Sequence, residues 1–141
     1  MKIRKASPTD AAGLSLLMEE LMGTPSDLSA LAESLEHISA NPAYLLLVAE
    51  HCGQLLGTAM GVLCYDIYKN CLPFVVIENV VVSKNSRSLG IGTQLFSNLE
   101  QWARKSNASY CMLVSGNERT GAHRFYAAHG YQQMFGFRKY L

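Results

Sequence analysis

Between Val80 and Thr93 the chain reads Val-Val-Val-Ser-Lys-Asn-Ser-Arg-Ser-Leu-Gly-Ile-Gly-Thr. Three consecutive β-branched residues favour an extended strand. Ile91, Leu95, Phe96, Leu99, Trp102 and Ala103 then recur at helical spacing. A strand therefore runs through a glycine-bearing loop straight into an amphipathic helix. Each has one apolar side to cover, so the segment demands a layered α/β fold. Glycines let a backbone turn tightly and approach a ligand. The free N–H groups of a first helical turn, backed by the helix dipole, favour an anion. Arg87 and the Thr93 hydroxyl add donors, and a pyrophosphate suits that set. Two nucleotide templates are missing. There is no G-x-x-x-x-G-K-[ST], and no G-x-G-x-x-G follows the first strand.

The rest of the chain reads as elements around that segment. Lys2–Lys5 predicts a short strand. Ser7-Pro8-Thr9-Asp10 is a helix start with a cap, a proline at the first position and a capping-box acid. Leu14, Leu17, Met18 and Leu21 follow, and Gly23 stops the helix. Thr24-Pro25-Ser26-Asp27 starts a second, with Leu28, Leu31, Leu35 and Ile38 as its stripe and Asn41-Pro42 as its end. Strands are predicted at Tyr44–Glu50, Leu55–Ile67, Phe74–Val82, Tyr110–Val114 and Tyr131–Tyr140, with a short helix over Ala122–His129. The order is β-α-α-β-β-β-α-β-α-β, a mixed α/β sheet covered by helices.

Charge sharpens this. Residues 1–68 carry three bases and eight acids, net −5; residues 69–141 carry nine bases and three acids, net +6. The overall balance of +1 argues against a protein that coats nucleic acid, which usually shows a high pI. It leaves room for an anion site in the second half and a cation-friendly first half. No run approaches the roughly 20 apolar residues that span a bilayer, nor a signal-peptide core, so a cytoplasmic protein without membrane partners is expected. At 141 residues, 49% of them hydrophobic, the chain suits one domain, 1–141, with a core of its own. Cys52, Cys64, Cys71 and Cys111 form no CxxC pair and are expected as free, mostly buried thiols. The four histidines show no metal spacing, and no metal is expected.

A second constellation lies downstream. Asn117 follows the predicted fifth strand, and Phe125-Tyr126-Ala127-Ala128-His129-Gly130-Tyr131 closes the last helix. With Arg87-Ser88-Leu89-Gly90-Ile91-Gly92, these residues resemble the signature of the GNAT-type N-acetyltransferases: Arg/Gln-x-x-Gly-x-Gly/Ala, then Asn, then Phe-Tyr-x-x-x-Gly-Phe/Tyr. The element order matches as well. The resemblance implies the GNAT fold, a mixed sheet of six to seven strands flanked by about four helices. It implies an acyltransferase that moves acetyl directly from acetyl-CoA to the primary amine of a small molecule. Arg87, Ser88, Leu89, Gly90, Ile91, Gly92 and Thr93 would hold the cofactor's pyrophosphate. Val80, Val81 and Val82 would offer backbone groups to the pantetheine arm, and Asn117 and Tyr126 would lie near its reactive end.

In that family a tyrosine matching Tyr126 protonates the leaving thiolate; a phenol is ordinarily protonated below about pH 10 and can donate. Glu78 is the candidate base, acting directly or through water. It alone interrupts the apolar run Phe74–Ile77, where a carboxylate needs a partner or a role. Asp66 and the N-terminal acids are weaker alternatives. Ile3-Arg4-Lys5-Ala6 and the tail through Phe137-Arg138-Lys139 resemble the aminoalkylphosphonate N-acetyltransferases. A phosphonate would then need Arg138 or Lys139. Glucosamine phosphate, polyamines, aminoglycosides and peptide N-termini stay open as acceptors. A non-catalytic acyl-CoA-binding regulatory module is the competing class, and it predicts loss of the proton-handling residues. Many relatives are dimers, and the final strand with Phe135, Phe137 and Tyr140 offers an edge for a homodimer.

Overall fold

A computed structural model describes residues 1–141. Strand β1 (Lys2–Lys5) leads through a 3-10 turn at Pro8–Asp10 into α1 (Ala11–Met22) and α2 (Leu28–Ala40). Strands β2 (Tyr44–His51), β3 (Gln54–Cys64) and β4 (Phe74–Val82) follow. Then come α3 (Ile91–Lys105), β5 (Cys111–Met112) and α4 (Thr120–Ala128). One sheet carries the strands in the order β1-β2-β3-β4-β5. The first four pair antiparallel, and β5 joins β4 in parallel.

Alternation along β2 divides the core in two. Leu45, Leu47 and Ala49 face one layer with Ala59, Val75 and Ile77, where α3 seats Ile91, Leu95, Phe96, Leu99 and Ala103 and α4 adds Tyr126. Val48 faces the other side, where it meets Leu14 of α1 and Leu35 of α2. Gly61 lets α3 come this close to β3. A Cβ there would lie 2.9 Å from the Trp102 ring and 3.1 Å from a Leu99 methyl. The entry to α1 is clamped by charge. Both Asp10 carboxylate oxygens accept from the Arg4 guanidinium, at 2.7 and 2.8 Å, and Oδ2 also accepts from the Ser7 N–H at 2.8 Å. Arg4 Nε donates to Glu50 at 2.6 Å. These bonds hold the Asp10 carboxyl at about 2, below its usual 3.8. The Asp27 side chain caps α2 through the Ala30 N–H.

The sheet has five strands rather than six to seven, and two expected strands change. Tyr110–Val114 contracts to Cys111–Met112. Tyr131–Tyr140 forms no strand, and Phe135, Phe137 and Tyr140 are exposed. The two facts are one. A final strand needs a neighbour to pair with, and β5 offers two residues of ladder. The third strand ends at Cys64 rather than Ile67. The cysteines are free but none is fully buried; Cys52 and Cys71 are exposed and Cys64 and Cys111 half-buried. No helix is long and apolar enough to cross a membrane.

Candidate active site

Strand β4 positions the site by departing from regularity twice. Thr58 pairs with Val81 but Met60 pairs with Glu78, so β4 takes three residues where β3 takes two. The extra residue is a bulge, and Asn79 sits in it with φ 53°. The second departure is on the other edge. Strand β5 pairs with Val75 and Val76 alone. From Ile77 to Val82 the outer edge of β4 has no strand beside it. Glu78 and Asn79 are both exposed there.

The free edge runs directly into the glycine loop. A 3-10 turn spans Lys84–Ser86, and Arg87 Nε donates back to the Val82 carbonyl at 3.3 Å. Ser88 (φ 64°) and Gly90 (φ 74°) are both left-handed, and Gly90 caps α3. Only glycine occupies that region without strain. Gly92 has a different reason to be small: a Cβ there would meet the Phe125 ring at 3.2 Å. The loop from Arg87 to Gly90 is exposed, and the first-turn N–H groups of Ile91, Gly92 and Thr93 have no partner within their own helix.

Helix α4 packs Tyr126 against α3. Its ring packs near Phe96, Phe125 and Tyr131, with centroids 5.8, 5.7 and 6.3 Å away, and the residue is 7% exposed. Burial raises its phenol above the usual value; the Arg119 charge opposes that rise and the Glu78 charge adds to it. Asn117 lies in an exposed turn before α4, closed by His123 Nε2, which donates to the Gly116 carbonyl at 2.9 Å.

Three residues make contacts, or lack them, in ways that sequence reasoning did not anticipate. Ser115, at the end of the β5 segment, buries its hydroxyl without a hydrogen-bond partner. Arg119 occupies the N-cap of α4, about two helical turns before Tyr126, and its guanidinium enters no ion pair. Glu20 accepts from the Ser83 hydroxyl at 2.9 Å and the Lys84 N–H at 2.8 Å, which ties α1 to the start of the loop. The Lys84 and Ser83 bonds hold its carboxyl below the ordinary range. The only signal for these was charge and polarity at element ends. Arg138, by contrast, lies in the exposed tail against Tyr140. Cys111 sits beside Tyr131 and Glu100, and burial raises its thiol.

An open cavity of about 760 Å³ lies on the α1 side of the sheet, against Asp10, Glu19, Glu20, the Gly53 turn and Lys84. It includes neither Tyr126 nor Glu78. No group of three or more His, Cys, Asp or Glu side chains is placed to hold a metal ion.

The profile of the acetyltransferase (GNAT) family matches residues 14–131. An uncharacterised N-acetyltransferase of Bacillus subtilis is 40% identical over 50 residues, 36% of this chain and 35% of that protein. The aminoalkylphosphonate N-acetyltransferase of Salmonella typhimurium is 39% identical over 66 residues, 46% of this chain and 43% of that protein. The matched stretch thus spans less than half the length of either curated relative. A solved structure from Agrobacterium tumefaciens, assigned to the acetyltransferases, superposes with a TM-score of 0.90 at 25% identity over 100% of both chains.

Proposed function

The chain belongs to the acetyltransferase (GNAT) family, whose members draw acetyl groups from acetyl-CoA, and we propose that residues 1–141 act as one domain transferring acetyl directly to the primary amine of a small molecule. The observation that carries this is the continuity of two features. An unpaired strand edge from Ile77 to Val82 leads through one 3-10 turn into a left-handed glycine and an open helix N-terminus. The edge presents backbone donors and acceptors to the amide groups of a pantetheine arm, as in strand addition. Val80, Val81 and Val82 supply that edge. The loop N–H groups, Arg87 and Thr93 take the pyrophosphate. The orphaned Ser115 hydroxyl fits the same reading, since a buried polar atom without a partner in the protein suits a polar ligand group.

The chemistry of the reaction sets two proton tasks. The acceptor arrives as an ammonium and must lose a proton before its nitrogen lone pair can attack the thioester carbon. Glu78, exposed at the bulge, takes that proton directly or through one water. As the C–N bond forms and the C–S bond breaks, the departing sulfur needs a proton. Tyr126 supplies it; burial keeps its phenol protonated, and its ring is held by three aromatic neighbours. Asn117 lies in the exposed turn before α4 and is assigned to the cofactor's reactive end.

The acceptor is read as an amine that also carries an anionic group. The unpaired Arg119 charge and the likeness to the aminoalkylphosphonate enzyme support this. Arg119 takes the role first sought in Arg138 or Lys139. The exposed Phe135, Phe137 and Tyr140 are read as the contact of a homodimer. An acetyl-CoA turnover screen over small amines, aminophosphonates included, tests the reading. Turnover is expected to be fastest with an amine bearing a phosphonate or carboxylate. Silence across the panel, with acetyl-CoA still raising the melting temperature, would favour a protein acceptor or a binding module.

A further inference from the structure

His129 follows the last residue of α4 and reaches back to α3. Its Nδ1 lies 2.8 Å from the Phe125 carbonyl oxygen and its Nε2 lies 3.2 Å from Thr93 Oγ1. A carbonyl oxygen only accepts, so Nδ1 carries a hydrogen. In the neutral ring Nε2 is then an acceptor, and the Thr93 hydroxyl donates to it. The imidazole is held in place by the Phe125 ring, 4.1 Å between centroids, and by Phe96 at 6.2 Å.

Thr93 is the third residue of α3, within the turn assigned to the pyrophosphate. Its hydroxyl has one hydrogen, which cannot serve His129 and a phosphate oxygen together. We propose that His129 is a positioning residue for the acetyl-CoA pyrophosphate, acting through Thr93 by gaining a proton when the cofactor binds. The inference rests on the assignment of Arg87–Thr93 to that pyrophosphate. The proton comes from solvent onto Nε2. The Nε2–H then donates to Thr93 Oγ1, and the Thr93 hydrogen turns to a phosphate oxygen. Nδ1–H stays on the Phe125 carbonyl, so the ring need not move.

Two helix ends meet at this imidazole. The carbonyl end of α4 favours a cation and the N–H end of α3 disfavours one. An anion at the α3 terminus reverses the second influence and leaves both in favour of the charged ring. The charged and titratable groups on the surrounding elements are Glu100, Arg104 and Lys105 on α3, Arg119, His123, Arg124 and Tyr126 on or capping α4, Tyr131 just after it, and Arg87 in the loop. Glu100, farther along α3, is engaged by Arg104 and the Tyr131 hydroxyl. No carboxylate hydrogen-bonds to His129, so the incoming phosphate is the counter-charge. Histidine is the side chain suited to this exchange, because its charge changes near neutral pH.

The test is calorimetric titration of the full chain with 3′-dephospho-CoA, which lacks the phosphate monoester that would itself titrate near pH 6. Titrations in buffers of low and high ionisation enthalpy count the protons taken up. The wild type is expected to take up a measurable fraction of a proton near neutral pH and to bind several-fold tighter at pH 6.5 than at pH 8.5. His129→Gln retains a donor toward Thr93 but cannot titrate, and should take up none and lose the pH dependence. Thr93→Val, which leaves the imidazole intact, should also lose the uptake. In turnover, His129→Gln should raise the KM for acetyl-CoA at pH 6.5 and leave kcat unchanged. Binding with equal uptake in wild type and His129→Gln, or with none in the wild type, overturns the proposal alone. A wild type that does not bind dephospho-CoA overturns the loop assignment and this proposal with it.

Discussion

Replacing Tyr126 with phenylalanine separates chemistry from packing, because the structure gives the two very different magnitudes. The ring is 7% exposed and packs near Phe96, Phe125 and Tyr131; phenylalanine keeps all of that surface. The hydroxyl donates to no protein group, so its loss changes stability by no more than about 1 kcal/mol. For a chain of this length that is a shift of at most about 3–4 °C in melting temperature. A positioned general acid contributes about 10²–10⁴ in rate, or about 3–5 kcal/mol of barrier. The expected outcome is therefore a kcat lowered at least about a hundredfold, with the acetyl-CoA KM and the melting curve nearly unchanged. Release of the coenzyme A thiol, followed with a thiol reagent and the best amine of the panel, measures the first; thermal unfolding measures the second. Because burial raises the phenol above 10.0, the wild-type rate should not fall on its account until beyond pH 10. A Tyr126→Phe variant with kcat within threefold of wild type, properly folded, would refute the acid assignment.

Two other outcomes follow from the packing. Asp10 is lowered from 3.8 to about 2 by its bonds to Arg4 and Ser7. A depressed carboxyl contributes stability that is fully present above its unfolded value and lost as pH falls from about 4 through about 2. The contribution is about 1–2 kcal/mol after allowing for the water around the pair, so Asp10→Asn should lower the melting temperature at pH 7 and narrow the gap to wild type near pH 2. Gly61→Ala places a methyl 2.9 Å from the Trp102 ring and should cost about 1–3 kcal/mol, read as a lower urea midpoint.

How much of this was legible depended on range. Ser7 to Asp10, Asp27 and the Phe74–Val82 strand could be read because caps and β-branched runs are local signals. The α3 stripe from Ile91 to Ala103 is equally local. The strand expected at Tyr131–Tyr140 failed because Phe135 and Phe137 alternate convincingly with Gly136 while the neighbour they would pair with is two residues long. Alternation reports a tendency; a strand also needs an edge. The site divides in the same way. Gly90 and Tyr126 stood in a recognisable pattern. Arg119, Ser115 and Glu20 matter only through what the fold places beside them, and no spacing announces that. Gly92 was expected to serve a ligand, yet its smallness is required by Phe125. The acidic first half also changed meaning. Glu20 is tied to the loop, and Glu33 lies within 3.9 Å of His37, while Asp10, Glu19 and Glu20 line a cavity that excludes the proposed base.

The seam between β4 and β5 is two residue pairs long, and beyond it the sheet is open. On the proposed reading, the acyl donor is a strand supplied from outside. Each molecule that lies in the gap adds backbone bonds that the empty chain lacks, and at a hundred times its dissociation constant it would add about 2.7 kcal/mol against unfolding. Proteases cut what opens, so survival of the protein would then follow the abundance of its own acyl donor. Starvation for acetyl-CoA would remove the catalyst as well as the reactant.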